Sequence, residues 1–65
     1  MVSGEREIIF EFFTIGTSVK VTAVDATTGV EVSIVGDPAA GEAALKRLAK
    51  QKLDYVLSRR AAGGI

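Results

Sequence analysis

Two glycine-containing turns constrain the fold of this chain most strongly, because each separates two segments in which apolar and polar residues alternate. The first turn, residues 15–18 (IGTS), has Gly16 at its first central position, as a type II′ hairpin requires. The second, residues 26–29 (ATTG), ends on Gly29, where a four-residue loop built on a type I turn needs a positive φ. We therefore predict a meander of three antiparallel strands.

The strand segments are rich in β-branched and aromatic residues, which suit a pleated surface. They are Glu7 to Ile15, Val19 to Asp25 and Val30 to Val35. The turns set their register, and this gives two cross-strand rows on one face, Phe12–Val21–Ile34 and Phe10–Ala23–Val32. A slip of one residue would send every side chain to the opposite face, so these rows predict the core face of the sheet. Asp25, beside the second turn, is expected to accept backbone hydrogen bonds there.

A helix is predicted after the third strand. Gly36 ends the strand, Asp37 can cap a helix and Pro38 suits its first turn, although the helix can instead begin near Gly41 with Glu42 in its first turn. Leucines and small apolar residues recur at helical spacing and predict a stripe that covers the core face of the sheet. The stripe consists of Leu45, Leu48, Ala49, Leu53 and Val56, flanked by Tyr55 and Leu57.

The predicted fold class is therefore α+β, a three-stranded antiparallel meander followed by one C-terminal helix packed on one face (βββα, two layers). Residues 6–60 form a single domain in this prediction, and we expect the small, glycine-bearing segments 1–5 and 61–65 to fray. No apolar run approaches the roughly 20 residues needed to span a bilayer, and the N-terminal residues lack the order of a signal peptide. We expect a cytoplasmic protein without a membrane partner.

The short length makes a partner subunit the expected source of extra stability. A domain of 65 residues has a small core, and the chain has no Cys and no His, which excludes disulfides, zinc-finger spacing and imidazole chemistry. One helix covers only one face of the sheet, so large apolar residues of the other face would meet water. These residues, our predicted interface, are Ile9, Phe13, Ile15, Val24 and Val35.

We predict a homodimer from this exposed face. Strand one is also an edge strand without proline, so pairing along that edge is an alternative dimer geometry. Two arrangements would remove the need for a partner: strand one twisting over the helix end, or Phe13 and Ile15 folding back on the C-terminal residues. The function that we expect is a small non-enzymatic protein-interaction module that self-associates.

Weak nucleic-acid binding is the alternative function. Residues 1–41 carry six acidic and two basic groups, whereas residues 42–65 carry two acidic and six basic groups. A possible basic surface of the helix consists of Lys46, Arg47, Lys50, Arg59 and Arg60. The exposed sheet face has the wrong sign for DNA, since it carries Glu7, Glu11 and Glu31 against Lys20, so phosphate contact would rest on a few helix charges. Basic groups near a helix C-terminus are also favoured by the helix dipole alone.

Residues for catalysis, cofactor binding or metal ligation are not predicted, nor is a small-molecule substrate. Residues 36–41 (GDPAAG) have the glycine spacing of a phosphate loop, but Glu42 and Ala43 stand where its lysine and hydroxyl belong. Glu7 and Glu11 lie about 13 Å apart on one strand face by strand rise, too far for a glycosidase pair.

Lys52 is the one residue that falls inside the apolar stripe of the helix by helical angle. Its stem can pack on the sheet with the ammonium group at the rim, which is common for lysine. Alternatively, it forms an ion pair with a carboxylate of the sheet or of a second protomer. A Schiff-base role lacks a cofactor pocket to support it.

The segment VKVTAVDATTGVEVSIVGDP, followed by LKRLAKQKLDYVL, resembles a family of small alphaproteobacterial proteins classed as a domain of unknown function. The family shares a K-V-x-A-x-D-x-x-T-G-x-E-V pattern, which here begins at Lys20, and a leucine-rich C-terminal helix. The resemblance covers nearly the whole chain. It implies a bacterial cytosolic origin and assigns neither an activity nor functional residues.

Overall fold

The computed structural model describes residues 7–63, with the side chains of residues 7–60, and it confirms the predicted βββα fold class. Its elements are β1 (Ile8–Ile15), β2 (Ser18–Asp25), β3 (Glu31–Gly36), a 3₁₀ turn (Pro38–Ala40) and α1 (Glu42–Gly63). The strands form one antiparallel sheet in the order β1-β2-β3, with α1 packed on one face.

The predicted register is confirmed in both hairpins. Phe12 pairs with Val21 and Val21 with Ile34, while Phe10 pairs with Ala23 and Ala23 with Val32. The turn glycines have the predicted positive φ, 59° at Gly16 and 79° at Gly29. Thr17 does not share a positive φ, and this distinguishes type II′ from type I′ geometry in the first turn.

Asp25 closes the second hairpin, as predicted. It is fully buried, and its Oδ1 accepts hydrogen bonds from the backbone N–H of Thr27 at 2.8 Å and of Thr28 at 3.2 Å. Gly29 N donates to the Asp25 carbonyl at 2.8 Å. The side chain thus does the work of an extra backbone acceptor inside the turn.

The core lies between β2 and α1. Its buried apolar residues are Val19, Val21 and Ala23 of β2 and Leu45, Ala49 and Leu53 of α1. Half-buried apolar side chains of β1, β3 and α1 surround them: Ile8, Phe10, Phe12, Val30, Val32, Ile34 and Leu57. The helix packs mainly on β2 and β3, and the approach is so close at Gly36 that a Cβ there would lie 2.5 Å from Leu45 Cδ2.

The helix begins at the second of the two predicted positions. Asp37 Oδ1 accepts a hydrogen bond from Ala39 N at 2.9 Å, but this caps only the 3₁₀ turn. Gly41, with a φ of 92°, separates that turn from α1, which has Glu42 in its first turn.

The predicted apolar stripe is wrong for one member, Leu48, and the flanking Tyr55 does not help to cover the sheet. Leu48 and Tyr55 are 50% and 61% exposed, whereas Leu45, Ala49 and Leu53, spaced four residues apart, are buried. Because α1 packs on β2 and β3, the line that contacts the sheet is narrower than the stripe, and Leu48 and Tyr55 lie on its flank.

The tail predicted at residues 1–5 lies outside the described residues, as do residues 64–65 of the second tail, while α1 includes residues 61–63. Among the described residues, no helix has both the length and the apolar character required to cross a membrane.

Candidate interaction surface on the open sheet face and the β1 edge

The face of the sheet opposite α1, here called the open face, exposes the large apolar residues that the sequence predicted there. Phe13 and Val35 are 66% and 65% exposed, and Ile15 and Ile9 are 48% and 45% exposed, while Val24 is half-buried. The described residues therefore do not fold back over Phe13. That these residues form an interface stays a prediction.

The strand register arranges the side chains of the open face in three cross-strand rows. An apolar row with one lysine, Phe13–Lys20–Val35, and a mixed row, Ile9–Val24–Glu31, lie on either side of a polar row, Glu11–Thr22–Ser33. Thr22 Oγ1 and Ser33 Oγ share a hydrogen bond of 2.8 Å across the middle of this polar row. Packing the whole face against another sheet would take Glu11 out of water, at a large cost unless a cation met it.

On the edge of the sheet formed by β3, one outward backbone acceptor is occupied by a side chain of α1. Asp25 N donates to Val30 O at 2.8 Å, so by antiparallel alternation the backbone groups of Ser33 and Val35 face away from β2. Lys52 Nζ reaches this edge and donates to the Ser33 carbonyl at 2.8 Å. A lysine at a strand edge is one of the devices that prevent pairing with another chain.

Among the described residues this contact favours the first interpretation of Lys52, while an ion pair with a second protomer stays a prediction. Its ammonium group lies at the rim of the sheet, exposed, as the first interpretation predicts. The acceptor among the described residues is a backbone carbonyl and not a sheet carboxylate. An edge-strand carbonyl carries no side-chain signal, so the sequence could not identify it.

The opposite edge, formed by β1, is longer and open. Ala26 N donates to Glu7 O at 3.0 Å, so odd-numbered residues of this strand bond β2 and even-numbered ones face outward. The outward backbone groups belong to Ile8, Phe10, Phe12 and Thr14. The strand has no proline, lysine or arginine, and no strand among the described residues pairs with this edge.

A cavity of about 240 Å³ opens beside the C-terminal half of β1. It lies between this strand and the start of α1, and its lining consists of Phe12, Thr14, Val19, Pro38, Glu42 and Leu45. Sequence reasoning missed this cavity because it depends on where the 3₁₀ turn stands relative to β1. Of its lining residues, Glu42 alone is titratable.

The predicted basic residues of α1 are all exposed, and that they form one binding surface stays a prediction. Lys46 Nζ lies 5.6 Å from the centroid of the Phe10 ring, which places it on the β1 side of the helix. Arg59 lies two turns after Lys52, on the flank that faces β3, where its Nη1 donates to Tyr55 Oη at 3.2 Å. Lys50 forms an ion pair of 2.9 Å with Asp54. The members of the Arg59–Tyr55 pair and of the Lys50–Asp54 pair are four residues apart, and this helical spacing could have predicted both contacts.

The loop with phosphate-loop glycine spacing uses its own amides. Ala39 N donates to Asp37 Oδ1, Ala40 N to Asp37 O at 2.9 Å and Gly41 N to Pro38 O at 3.1 Å. These three N–H groups are therefore engaged within the loop and not directed at an anion. Within the described residues, no group of three acidic side chains is placed to hold a metal ion.

Together these features define a class: a two-layer βββα domain with a lysine on one sheet edge, an open second edge and a partly apolar open face. The chain belongs to the DUF6898 family, a domain of unknown function that matches residues 5–60. The resemblance is thus confirmed at the level of a domain of unknown function, and the alphaproteobacterial origin stays a prediction. No curated protein and no solved structure matches the chain.

Proposed function

We propose that this protein is a small non-enzymatic interaction module that self-associates as a homodimer, acting in the bacterial cytoplasm that the family resemblance implies. The exposure of Phe13, Ile15 and Ile9 on β1 carries the proposal, because three large apolar side chains on one strand are costly to leave in water. A second copy that shields part of this apolar surface adds stability to a 65-residue domain with a small core.

Two observations support a binding role over a catalytic one. The cavity beside β1 has a mostly apolar lining in which Glu42 has no titratable neighbour to act with as a general acid and base. The exposed carboxylates of Glu7, just before β1, and Glu11, within it, lie four residues apart, too far for a glycosidase pair.

Nucleic-acid binding through α1 is the competing function. Arg47 and Arg60 are exposed, but Lys50 is neutralised by Asp54, and Lys46 and Arg59 lie on opposite flanks of the helix. Such a distribution offers few phosphate contacts at once, so any binding would be weak and would fall steeply with salt.

Light scattering coupled to size exclusion, at two protein concentrations and in low and high salt, tests the proposal. A dimer of about twice the 6.8 kDa chain mass, unchanged by salt, supports an apolar, hydrogen-bonded self-interface. A monomer under every condition rejects self-association. Adding a random-sequence DNA duplex separates the alternative, since salt-sensitive binding by a monomer would favour the nucleic-acid function.

A further inference from the structure

We infer that two copies pair through their β1 strands, antiparallel and about a two-fold axis at Phe12, to make one continuous six-stranded sheet. This inference rests on the proposed self-association and adds its geometry. The second copy supplies acceptors and donors for the outward backbone groups of Phe10, Phe12 and Thr14.

The β1 edge is favoured over the other two surfaces by charge and by access. Packing two open faces together would take Glu11 and the diagonal Lys20 of each copy out of water, with a desolvation penalty for both charges. The β3 edge is shorter, and Lys52 occupies its Ser33 carbonyl. Pairing along β1 buries backbone groups in mutual hydrogen bonds and leaves Glu11 at the sheet surface.

Register is limited by length and by charge. A two-fold axis at Glu11 or at Phe12 pairs most of the strand, whereas an axis elsewhere pairs fewer residues. An axis at Glu11 would set the two Glu11 carboxylates directly opposite each other in a non-hydrogen-bonded pair, where side chains are closest and like charges destabilise. An axis at Phe12 pairs residues 9–15 of both copies and sets Glu11 opposite the partner's Phe13.

Side chains on both faces complement each other in the Phe12 register. On the open face, Ile9 lies opposite the partner's Ile15, and the pair occurs twice, so exposed β1 residues cover each other across the new strand pair. On the helix side, the partner's Phe10 lies beside Thr14, at the mouth of the cavity of about 240 Å³ that Thr14 and Phe12 line. Phe10 packs on the core of its own copy, so only its exposed edge would contribute to covering this mouth.

Proline substitutions on the two edges test the geometry. Thr14→Pro removes an outward N–H of β1 without breaking a bond to β2, and edge strands tolerate proline at such positions. Val35→Pro is the matched control, since its N–H faces outward from β3. We expect Thr14→Pro to convert the dimer to a monomer with an unchanged circular dichroism spectrum, while Val35→Pro and Thr14→Val remain dimers.

Engineered disulfides test the register without proline, and the chain has no cysteine of its own. Ile9→Cys with Ile15→Cys places the thiols opposite each other only for an axis at Phe12, whereas Ile9→Cys with Phe13→Cys does so only for an axis at Glu11. Both variants keep Glu11, and neither can close within one strand, because its cysteines are about 13 Å or more apart. We expect the first variant to form a covalent dimer after mild oxidation, and a non-reducing gel detects it.

The outcomes separate the two proposals. A wild-type chain that stays monomeric rejects self-association, and the geometry with it. A dimer that survives Thr14→Pro, or that dissociates with Val35→Pro, keeps self-association and rejects pairing through β1. If Thr14→Pro fails to fold, the two disulfide variants decide. The Phe12 register is overturned if the variant with cysteines at 9 and 13 cross-links and the variant with cysteines at 9 and 15 does not. Pairing through β1 is overturned if neither variant cross-links.

Discussion

At the scale of single residues, the clearest stability prediction concerns the side chain of Asp25. It is fully buried and holds the Thr27 and Thr28 amides of the second turn through one carboxylate oxygen. Asp25→Ala leaves both N–H groups without this acceptor, so we expect a loss of about 1–3 kcal/mol in the free energy of unfolding. Urea denaturation followed by circular dichroism measures it.

Asp37→Ala is the matched control for this prediction. The Asp37 side chain also accepts one backbone N–H, from Ala39, but it is exposed and caps only a 3₁₀ turn. Water can replace this acceptor, so we expect a loss of about 1 kcal/mol or less. Equal losses for the two variants would show that burial of Asp25 does not matter.

The two acidic turn residues were predictable, because the roles of Asp before a turn and before Pro follow from local geometry. The acceptor of Lys52 was not, since Ser33 contributes a backbone carbonyl whose accessibility depends on which strand stands at the sheet edge. Local sequence specifies hydrogen bonds inside a turn, whereas bonds between α1 and β3 depend on how the helix lies on the sheet.

At the scale of elements, substituting two leucines of the predicted stripe tests which side of α1 packs on the sheet. Leu53 is fully buried in the core, whereas Leu48 is half exposed on the flank. Leu53→Ala is expected to lower the free energy of unfolding by about 2–5 kcal/mol, because it leaves a cavity. Leu48→Ala is expected to cost under about 1 kcal/mol. Equal costs in thermal denaturation would place Leu48 in the core.

Lys52 makes a separate prediction about the β3 edge. Lys52→Met keeps an apolar stem but removes the ammonium group that covers the Ser33 carbonyl. With the β3 edges at both ends of the dimer's sheet then unprotected, we expect species larger than a dimer. Light scattering would detect them at high protein concentration, and Lys52→Arg, which keeps a charged donor, is expected to stay dimeric. A Lys52→Met variant of unchanged mass would show that the lysine does not protect this edge.

The strands were more predictable than the helix packing for a physical reason. Side-chain alternation and the glycine turns fix register locally, so the pairing of Phe12 with Val21 followed from the sequence. The apolar spacing of α1 admits several rotations about its axis. Packing on β2 and β3 selects the one that buries Leu45, Ala49 and Leu53 and leaves Leu48 and Tyr55 outside.

At the scale of the whole molecule, the two edges of the sheet differ. The helix covers one face and places Lys52 on the β3 edge, while β1 keeps both an open edge and exposed apolar side chains. A chain of 65 residues has a small hydrophobic core, so apolar side chains left in water reduce a stability that is already limited. A second copy paired along β1 completes the hydrogen bonding of the strand and covers its isoleucines at the same time.

Amide hydrogen exchange followed by NMR tests this pairing most directly. In a β1-paired dimer the N–H groups of Phe10, Phe12 and Thr14 are hydrogen-bonded to the partner, so we predict slow exchange that slows further as protein concentration rises. The outward amides of Ser33 and Val35 on β3 serve as the internal reference and are predicted to exchange fast. Exchange at Phe10, Phe12 and Thr14 as fast as at Val35, at every concentration, would contradict the account.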